Sequence, residues 1–337
     1  MTRGRLTLCA LAALAAPGAP VRAQIGDAHL LVVSGLGGEP RYSEMFHETA
    51  VRLIDAANER FGIPPARIIY LAEDVERDPD RIAERSTRDN VLAAIAAVAS
   101  EAGPDDRVLL FMIGHGAERD GEPRINLPGP DLTGPELAAA LDRFPSQTVA
   151  IINAASASGG FVTHLSGERR IVVTATRSTR ERYETRFGTH FVDAFADDGA
   201  DVDKDGRISV FEAFEYARRE VERGYEAGNE MQTEHALLDD NGDGEGSLEP
   251  DPLEGDGRLA NRFYLAHDGP SPLAATQPAD PELAALYDRR RDLQTEIDAL
   301  RGRKEEMESE AYERSLEDLL VDLATTSREI REREGGA

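Results

Sequence analysis

Two stretches of the chain, RVLLFMIGHG (residues 107–116) and TVAIINAASASGG (residues 148–160), indicate the fold. Each begins with an apolar run of strand length and ends in glycines and small polar residues. Strands that are buried on both faces have this composition, because both rows of their side chains are covered. The two stretches therefore predict parallel strands of an α/β sheet, each followed by a loop at its carboxyl end.

Further apolar runs extend this pattern in both directions along the chain. They are His29 to Val33, Arg67 to Leu71, Ile171 to Thr176 and a shorter candidate, Arg262 to Leu265. Apolar residues recur at helical spacing between the runs, and Thr133 to Glu136 form a capping box that opens one of the helices. Alternating strands and helices imply right-handed crossovers and helices on both faces of the sheet. We expect an α/β protein built as a three-layer α/β/α sandwich with a mostly parallel sheet.

The first 23 residues have the pattern of a signal peptide. Arg3 and Arg5 give a basic start, residues 6–16 form an apolar run too short to span a bilayer well, and Val21 to Ala23 supply a cleavage site. We therefore expect export to the periplasm or the cell exterior. Cleavage removes Cys9, the only cysteine in the sequence, and leaves a mature chain without a thiol nucleophile or a disulfide.

The charge of the chain limits its partners. The 337 residues include 64 acidic and 38 basic side chains, which give a formal net charge of −26. Such a surface repels nucleic acids and anionic membranes and attracts divalent cations. No apolar run approaches the roughly 18 residues that a membrane helix needs. We expect neither a nucleic-acid partner nor a membrane span.

The loops after the two opening strands carry the residues best suited to catalysis. If those strands are neighbours, their loops leave the same edge of the sheet about 5 Å apart. His115 then comes within reach of Ser156. The N–H of Gly116, together with that of residue 156 or 157, is placed to stabilise an oxyanion.

This pair of loops resembles the signature of caspase-like, legumain-type peptidases, which is His-Gly after one strand and Cys-x-Ser-Gly after the next. His115-Gly116 matches the first motif, and Ser156-Ala157-Ser158-Gly159 matches the second with serine in place of cysteine. The resemblance covers about residues 28–268. It implies a caspase-like domain over residues 24–268, with His115 and Ser156 as the catalytic pair and Gly116 in the oxyanion hole.

The serine leaves the activity open. A cysteine thiol is already partly ionised near neutral pH, whereas a serine hydroxyl needs a well-held base that a carboxylate usually orients. The family pair brings no such carboxylate, so we favour a degenerate homologue that acts by binding peptides or proteins. The alternative is an active peptidase that uses Ser156 with His115.

Residues 201–212, DVDKDGRISVFE, fit the twelve-residue EF-hand loop. Carboxylates occupy positions 1, 3 and 5, glycine occupies position 6 and glutamate position 12. The predicted oxygen ligands are Asp201, Asp203, Asp205, the Arg207 carbonyl, a water near Ser209, and Glu212. The motif predicts a structural Ca²⁺, and the alternative is an acidic turn that holds no ion.

A second acidic loop, DDNGDG at residues 239–244, begins in the same way. Asp239, Asn241 and Asp243 are its candidate ligands. Position 12 of this loop is Pro250, however, and no helical pattern follows. Calcium binding and an acidic surface turn are therefore equal alternatives here.

The C-terminal region has a different composition. Residues 269–281 are rich in proline, alanine and glycine and read as a linker, and residues 282–334 carry leucines at helical spacing amid dense charge. We favour a helical hairpin over one long coiled coil. These helices motivate a third hypothesis, a calcium-dependent structural or assembly protein that self-associates through residues 282–334.

Overall fold

The structure is a computed structural model that describes residues 26–196, 198–202, 207–253, 255–265, 280–304 and 307–334. The predicted signal peptide and nearly all of the predicted linker lie outside the described residues. Asp203 and Asp205 of the predicted calcium loop also lie outside them.

The described residues form ten strands and eight α-helices. The strands are β1 Ala28–Ser34, β2 Ile68–Ala72, β3 Glu84–Arg85, β4 Arg107–Ile113, β5 Gly116–Arg119, β6 Glu122–Ile125, β7 Leu132–Thr133, β8 Thr148–Asn153, β9 Arg170–Thr174 and β10 Leu237–Asp239. The helices are α1 Pro40–Asp55, α2 Arg88–Glu101, α3 Gly134–Leu141, α4 Val162–Leu165, α5 Phe187–Ala196, α6 Val210–Gly228, α7 Pro281–Gly302 and α8 Ser309–Glu334.

Seven strands build the central sheet in the order β10-β9-β8-β4-β1-β2-β3. All neighbours pair in parallel except β10, which runs antiparallel to β9. The helices cover both faces, and strand residues alternate between them: Leu109 and Phe111 join the core with α1, α5 and α6, whereas Leu110 and Met112 join the core with α2, α3 and α4. The predicted α/β architecture, with a mostly parallel sheet flanked by helices, is confirmed.

The prediction of a strand at residues 262–265 is wrong. Ala260–Arg262 form a 3-10 turn, and Tyr264 makes only an isolated bridge to Ser209. The backbone here serves other partners, since the Phe263 carbonyl accepts the N–H of Val210 and the Tyr264 carbonyl accepts the Arg107 guanidinium. The edge position next to β9 is taken instead by β10.

A second, three-stranded sheet follows His115 directly. Its order is β5-β6-β7, and all pairs are antiparallel. Asp120 and Gly121 turn between β5 and β6 with φ of 57° and 83°, as a tight hairpin turn requires. The Asp-Gly pair is a hairpin signal that our sequence analysis missed. This sheet holds the residue after His115 in extended conformation at the rim of the central sheet.

Helices α7 and α8 pack side by side. Leu293 and Ile297 of α7 are buried with Leu323 of α8, and Arg333 near the end of α8 forms an ion pair with Asp280 at the start of α7. No helix in the described part of the chain is both long enough and apolar enough to cross a membrane.

Candidate functional site

Strands β4 and β8 bring the two predicted loops together. They pair in parallel with Met112 opposite Asn153, so His115 and Ser156 each lie three residues beyond the same rung of the sheet. The Gly116 N–H donates a hydrogen bond to Ser156 Oγ at 3.2 Å. The structure therefore places Ser156 against the residue that follows His115.

Glycine is required at position 116 because the two loops touch there. A Cβ on Gly116 would lie 2.2 Å from the Ser156 carbonyl oxygen, which is far inside van der Waals contact. The rest of the small-residue turn is held by Thr176, whose Oγ1 accepts the Gly159 N–H at 3.0 Å and whose N–H donates to Ser158 Oγ at 3.3 Å. The turn from Ser156 to Gly159 is thus fixed against the end of β9.

The His115 ring is half-buried between two aromatic rings. It meets Tyr42 edge-on with ring centroids 4.6 Å apart, and Phe46 with centroids 5.4 Å apart. Within the described residues, neither ring nitrogen has a hydrogen-bond or ion-pair partner. Among the residues that the structure describes, aromatic packing alone therefore orients His115, and no carboxylate bonds to its ring.

The N–H groups expected to form an oxyanion hole are largely engaged. The Gly116 N–H is bonded to Ser156 Oγ, and the Ala157 N–H donates to the Glu181 carbonyl at 2.7 Å. Ala157 is fully buried in the left-handed region, at φ 55° and ψ 21°, a conformation that alanine rarely adopts. Of the three predicted donors, only the Ser156 N–H is left for a substrate oxygen.

Glu181 belongs to the segment that follows β9, residues 177–186, which we call the strap. The Glu181 carboxylate accepts the His235 ring at 2.7 Å and the His235 N–H at 3.1 Å. It also accepts the Arg177 N–H at 3.0 Å and pairs with the Arg177 guanidinium at 3.1 Å. Further along, Thr185 Oγ1 donates to the Ala154 carbonyl at 2.7 Å. The strap is bound on both sides of the nucleophile turn, and Ser156 is only 3% exposed.

The end of the strap is fixed by Glu234. Its carboxylate is 1% exposed and accepts the N–H groups of Arg186, at 2.8 and 3.0 Å, and Phe187, at 3.1 Å, where α5 begins. Burial raises the pKa of Glu234, and these backbone hydrogen bonds counter the shift. Glu234 is therefore the buried carboxyl group that caps α5.

Sequence reasoning missed Glu181, Glu234 and His235. The contacts that hold the strap to the segment at residues 234–235 join residues about fifty positions apart, so no local spacing reports them. A single histidine beside a glutamate, His235 after Glu234, carried no motif.

The calcium loop is described only at its two ends. Asp201 is 1% exposed and Glu212 is 7% exposed. Glu212 accepts the Val202 N–H at 2.9 Å through one oxygen and the N–H and hydroxyl of Ser209 through the other, and Ser209 caps α6. Among the described residues, no three His, Cys, Asp or Glu side chains stand close enough to hold a metal ion.

The second acidic loop does not have the predicted arrangement. Asn241 and Asp243 are exposed and hydrogen-bond to each other, with Asn241 Nδ2 3.0 Å from Asp243 Oδ2. Asp239 is fully buried and bonds Ser166 instead. Burial raises the pKa of Asp256, a residue from outside the motif, to about 6, and the nearby Asp239 carboxylate adds to the shift.

Comparison with known families gives one match. Residues 86–240, a little under half of the chain, match the model of the Peptidase C13 family. This region is therefore similar to the caspase-like, legumain-type family. The matched region contains both His115-Gly116 and the turn from Ser156 to Gly159, the motifs on which the resemblance was based. No curated protein matches the chain.

Proposed function

We propose that this protein is an exported, catalytically degenerate homologue of the Peptidase C13 family that binds calcium and acts by binding peptide or protein ligands. One observation carries the loss of catalysis: the Ala157 N–H, which a substrate oxygen would need as a donor, already donates its hydrogen bond to the Glu181 carbonyl of the strap. Ser156 itself is 3% exposed, and Ala154 and Ala157 on either side of it hydrogen-bond to the strap.

The magnitudes of the missing parts support this proposal. Removing one oxyanion-hole donor from a serine hydrolase costs about 10²- to 10³-fold in kcat. Losing the carboxylate that orients the histidine costs about 10⁴-fold. Serine tolerates these losses worse than cysteine because its hydroxyl is not ionised near neutral pH. Turnover by Ser156 with His115 is therefore expected to be below detection.

A cavity beside the strap offers room for a ligand. It measures about 280 Å³ and is open to solvent. Its lining residues include Glu118, Gly160, His164, Arg177 and Thr179. Polar side chains around glycine backbone are suited to hold an extended peptide by hydrogen bonds without any chemical step.

The test is exposure of the full chain to a peptide library and to a serine-directed phosphonate. We expect no cleavage and no label on Ser156. The matched control is Ser156→Ala, because cleavage by the wild type that disappears in this variant and in His115→Ala would establish the active peptidase instead. Ser156→Cys is expected to recover at most weak activity, since the strap still engages Ala157.

A second candidate function rests on one contact of the C-terminal helices. Arg290 of α7 donates to the Val202 carbonyl at 3.1 Å, and Val202 follows the first predicted calcium ligand, Asp201. This contact favours a structural or assembly role in which calcium and the C-terminal helical hairpin act together. Light scattering of the wild type and of Arg290→Ala, with calcium and with chelator, distinguishes the assembly role from peptide or protein binding. A calcium-dependent change in mass that the variant loses supports the assembly role. A constant mass argues against it.

A further inference from the structure

Two buried carboxylates lie against one short turn in the second acidic loop. Asp239 is fully buried, and its Oδ1 accepts the Ser166 hydroxyl at 3.1 Å and the Gly242 N–H at 3.4 Å. Asp256 is 6% exposed, and its Oδ1 accepts the N–H groups of Asp240 and Asn241 at 3.1 and 3.3 Å. Because both carboxylates bind residues 240–242, they face the same few atoms of backbone from two separate segments.

Asp240 ties these segments together. Its two carboxylate oxygens accept the N–H groups of Gly257 and Ala260, each at 2.8 Å. This holds the stretch that carries Asp256 next to the loop that carries Asp239. The pairing of the two carboxylates is therefore built into the backbone and does not depend on exposed side chains.

No basic side chain among the described residues balances the charge of this pair. Asp239 Oδ2 is buried and has no hydrogen-bond partner. Neither Asp239 nor Asp256 forms an ion pair with an arginine, lysine or histidine in the part of the chain that the structure describes. An isolated buried carboxylate is strongly destabilising, and proteins satisfy such groups with a cation, a metal ion or a proton.

We propose that Asp239 and Asp256 bind one divalent cation, Ca²⁺, between the turn at residues 240–242 and the segment around Asp256. Carboxylate oxygens are hard ligands that suit calcium, and backbone carbonyls and water supply the rest of its six to eight oxygens. The site differs from the EF-hand pattern read from the sequence, because Asn241 and Asp243 bond each other and Asp256 replaces them. It is independent of the loop at residues 201–212 and of Ser156.

The experiment is a calcium titration of the full chain by isothermal calorimetry, with terbium luminescence as a second readout. It compares the wild type, Glu212→Gln, Asp256→Asn and the double variant. We expect Glu212→Gln to retain one calcium site that the double variant lacks. Asp243→Asn, a carboxylate at the exposed tip of the same loop, is the matched control and is expected to keep the site.

The outcomes separate this site from the predicted EF-hand loop. If the EF-hand loop binds nothing, Glu212→Gln leaves the wild-type stoichiometry unchanged while Asp256→Asn removes it. Glu212→Gln leaves Asp239 and Asp256 intact. If this variant binds no calcium and its melting temperature does not respond to calcium, the proposal is overturned. A melting temperature that rises only on acidification would then assign a shared proton to Asp239 and Asp256.

Discussion

The strap makes a quantitative prediction about access to the nucleophile position. Ser156→Cys places a single thiol in the mature chain, because the only natural cysteine, Cys9, lies in the predicted signal peptide. That thiol is expected to react slowly with iodoacetamide, since Ser156 is 3% exposed and the strap hydrogen-bonds to Ala154 and Ala157 on either side of it. Labelling then requires the strap to open locally, and its rate reports the free energy of opening.

Glu181→Ala in this background removes the carboxylate that His235 and Arg177 bind. A hydrogen bond to a charged group contributes about 1.5–3 kcal/mol when buried. The Glu181 side chain is 12% exposed, and solvent weakens each of its four contacts with His235 and Arg177. We therefore expect the four contacts together to contribute about 1.5–3 kcal/mol to the free energy of strap opening. Each 1.4 kcal/mol changes the opening equilibrium tenfold, which predicts labelling roughly ten- to a hundredfold faster.

The assay follows carbamidomethylation of position 156 by intact-mass spectrometry at neutral pH, with circular dichroism to show that each variant is folded. Tyr183→Ala is the control, because Tyr183 is on the same segment and 72% exposed. The reasoning is refuted if Ser156→Cys reacts at the same rate with and without Glu181→Ala. It is also refuted if the single variant already reacts as fast as the chain unfolded in urea.

Four other outcomes are expected. Gly116→Ala forces a Cβ against the Ser156 carbonyl and should destabilise the domain by about 1–3 kcal/mol in urea unfolding. Glu234→Ala leaves the first N–H groups of α5 without an acceptor and should cost about 2–4 kcal/mol by the same measurement. Burial opposes ionisation of Asp106, but hydrogen bonds from the His29 ring and from the N–H groups of Gly103 and Asp27 outweigh it and lower the pKa of Asp106. The ionised Asp106 therefore stabilises the fold fully above the ordinary aspartate pKa, and this stabilisation is lost as the pH falls through the lowered pKa of the native state. Asp106→Asn should make the melting temperature depend less on pH at the acid end of a profile measured between pH 2 and 7. Calcium should stabilise the wild type by about 2.7 kcal/mol at a hundredfold excess over Kd, and should therefore raise its melting temperature more than magnesium does. Glu212→Gln should lose the part of this response that the loop at residues 201–212 contributes and keep the part that comes from Asp239 and Asp256. Equal melting curves of the wild type in chelator and in millimolar calcium would reduce the loop at residues 201–212 to an acidic turn.

The central sheet could be predicted from sequence because its strands are buried on both faces. The strands Arg107–Ile113 and Thr148–Asn153 coincide with the apolar runs that begin the two stretches quoted at residues 107–116 and 148–160. The same reasoning failed at residues 262–265, where a short apolar run uses its backbone carbonyls to accept hydrogen bonds from the start of α6 and from Arg107. It also passed over β10, since three residues are too few to show a period.

The candidate site also has a part that the sequence predicts and a part that it does not. His115-Gly116 and Ser156 come together because parallel neighbours deliver their loops to one edge, which is a property of strand order. The strap could not be foreseen, because it depends on Glu181 meeting His235 across 54 positions and on an alanine in a left-handed conformation. Periodicity describes elements, whereas the strap is a tertiary contact between segments without a pattern of their own.

The six residues from Glu234 to Asp239 serve three features at once: the cap of α5, the anchor of the strap and the edge strand that ends in the acidic pair. A strand alternates its faces, and β10 pairs with β9 from Leu237 to Asp239, so the register of this pairing fixes the direction of the Asp239 side chain. Inserting or deleting one residue here would turn Asp239 out of its buried position or His235 away from Glu181. This hexapeptide should therefore tolerate several changes of side chain but no change of length, and a library of insertions scanned along the chain should show a gap at these positions.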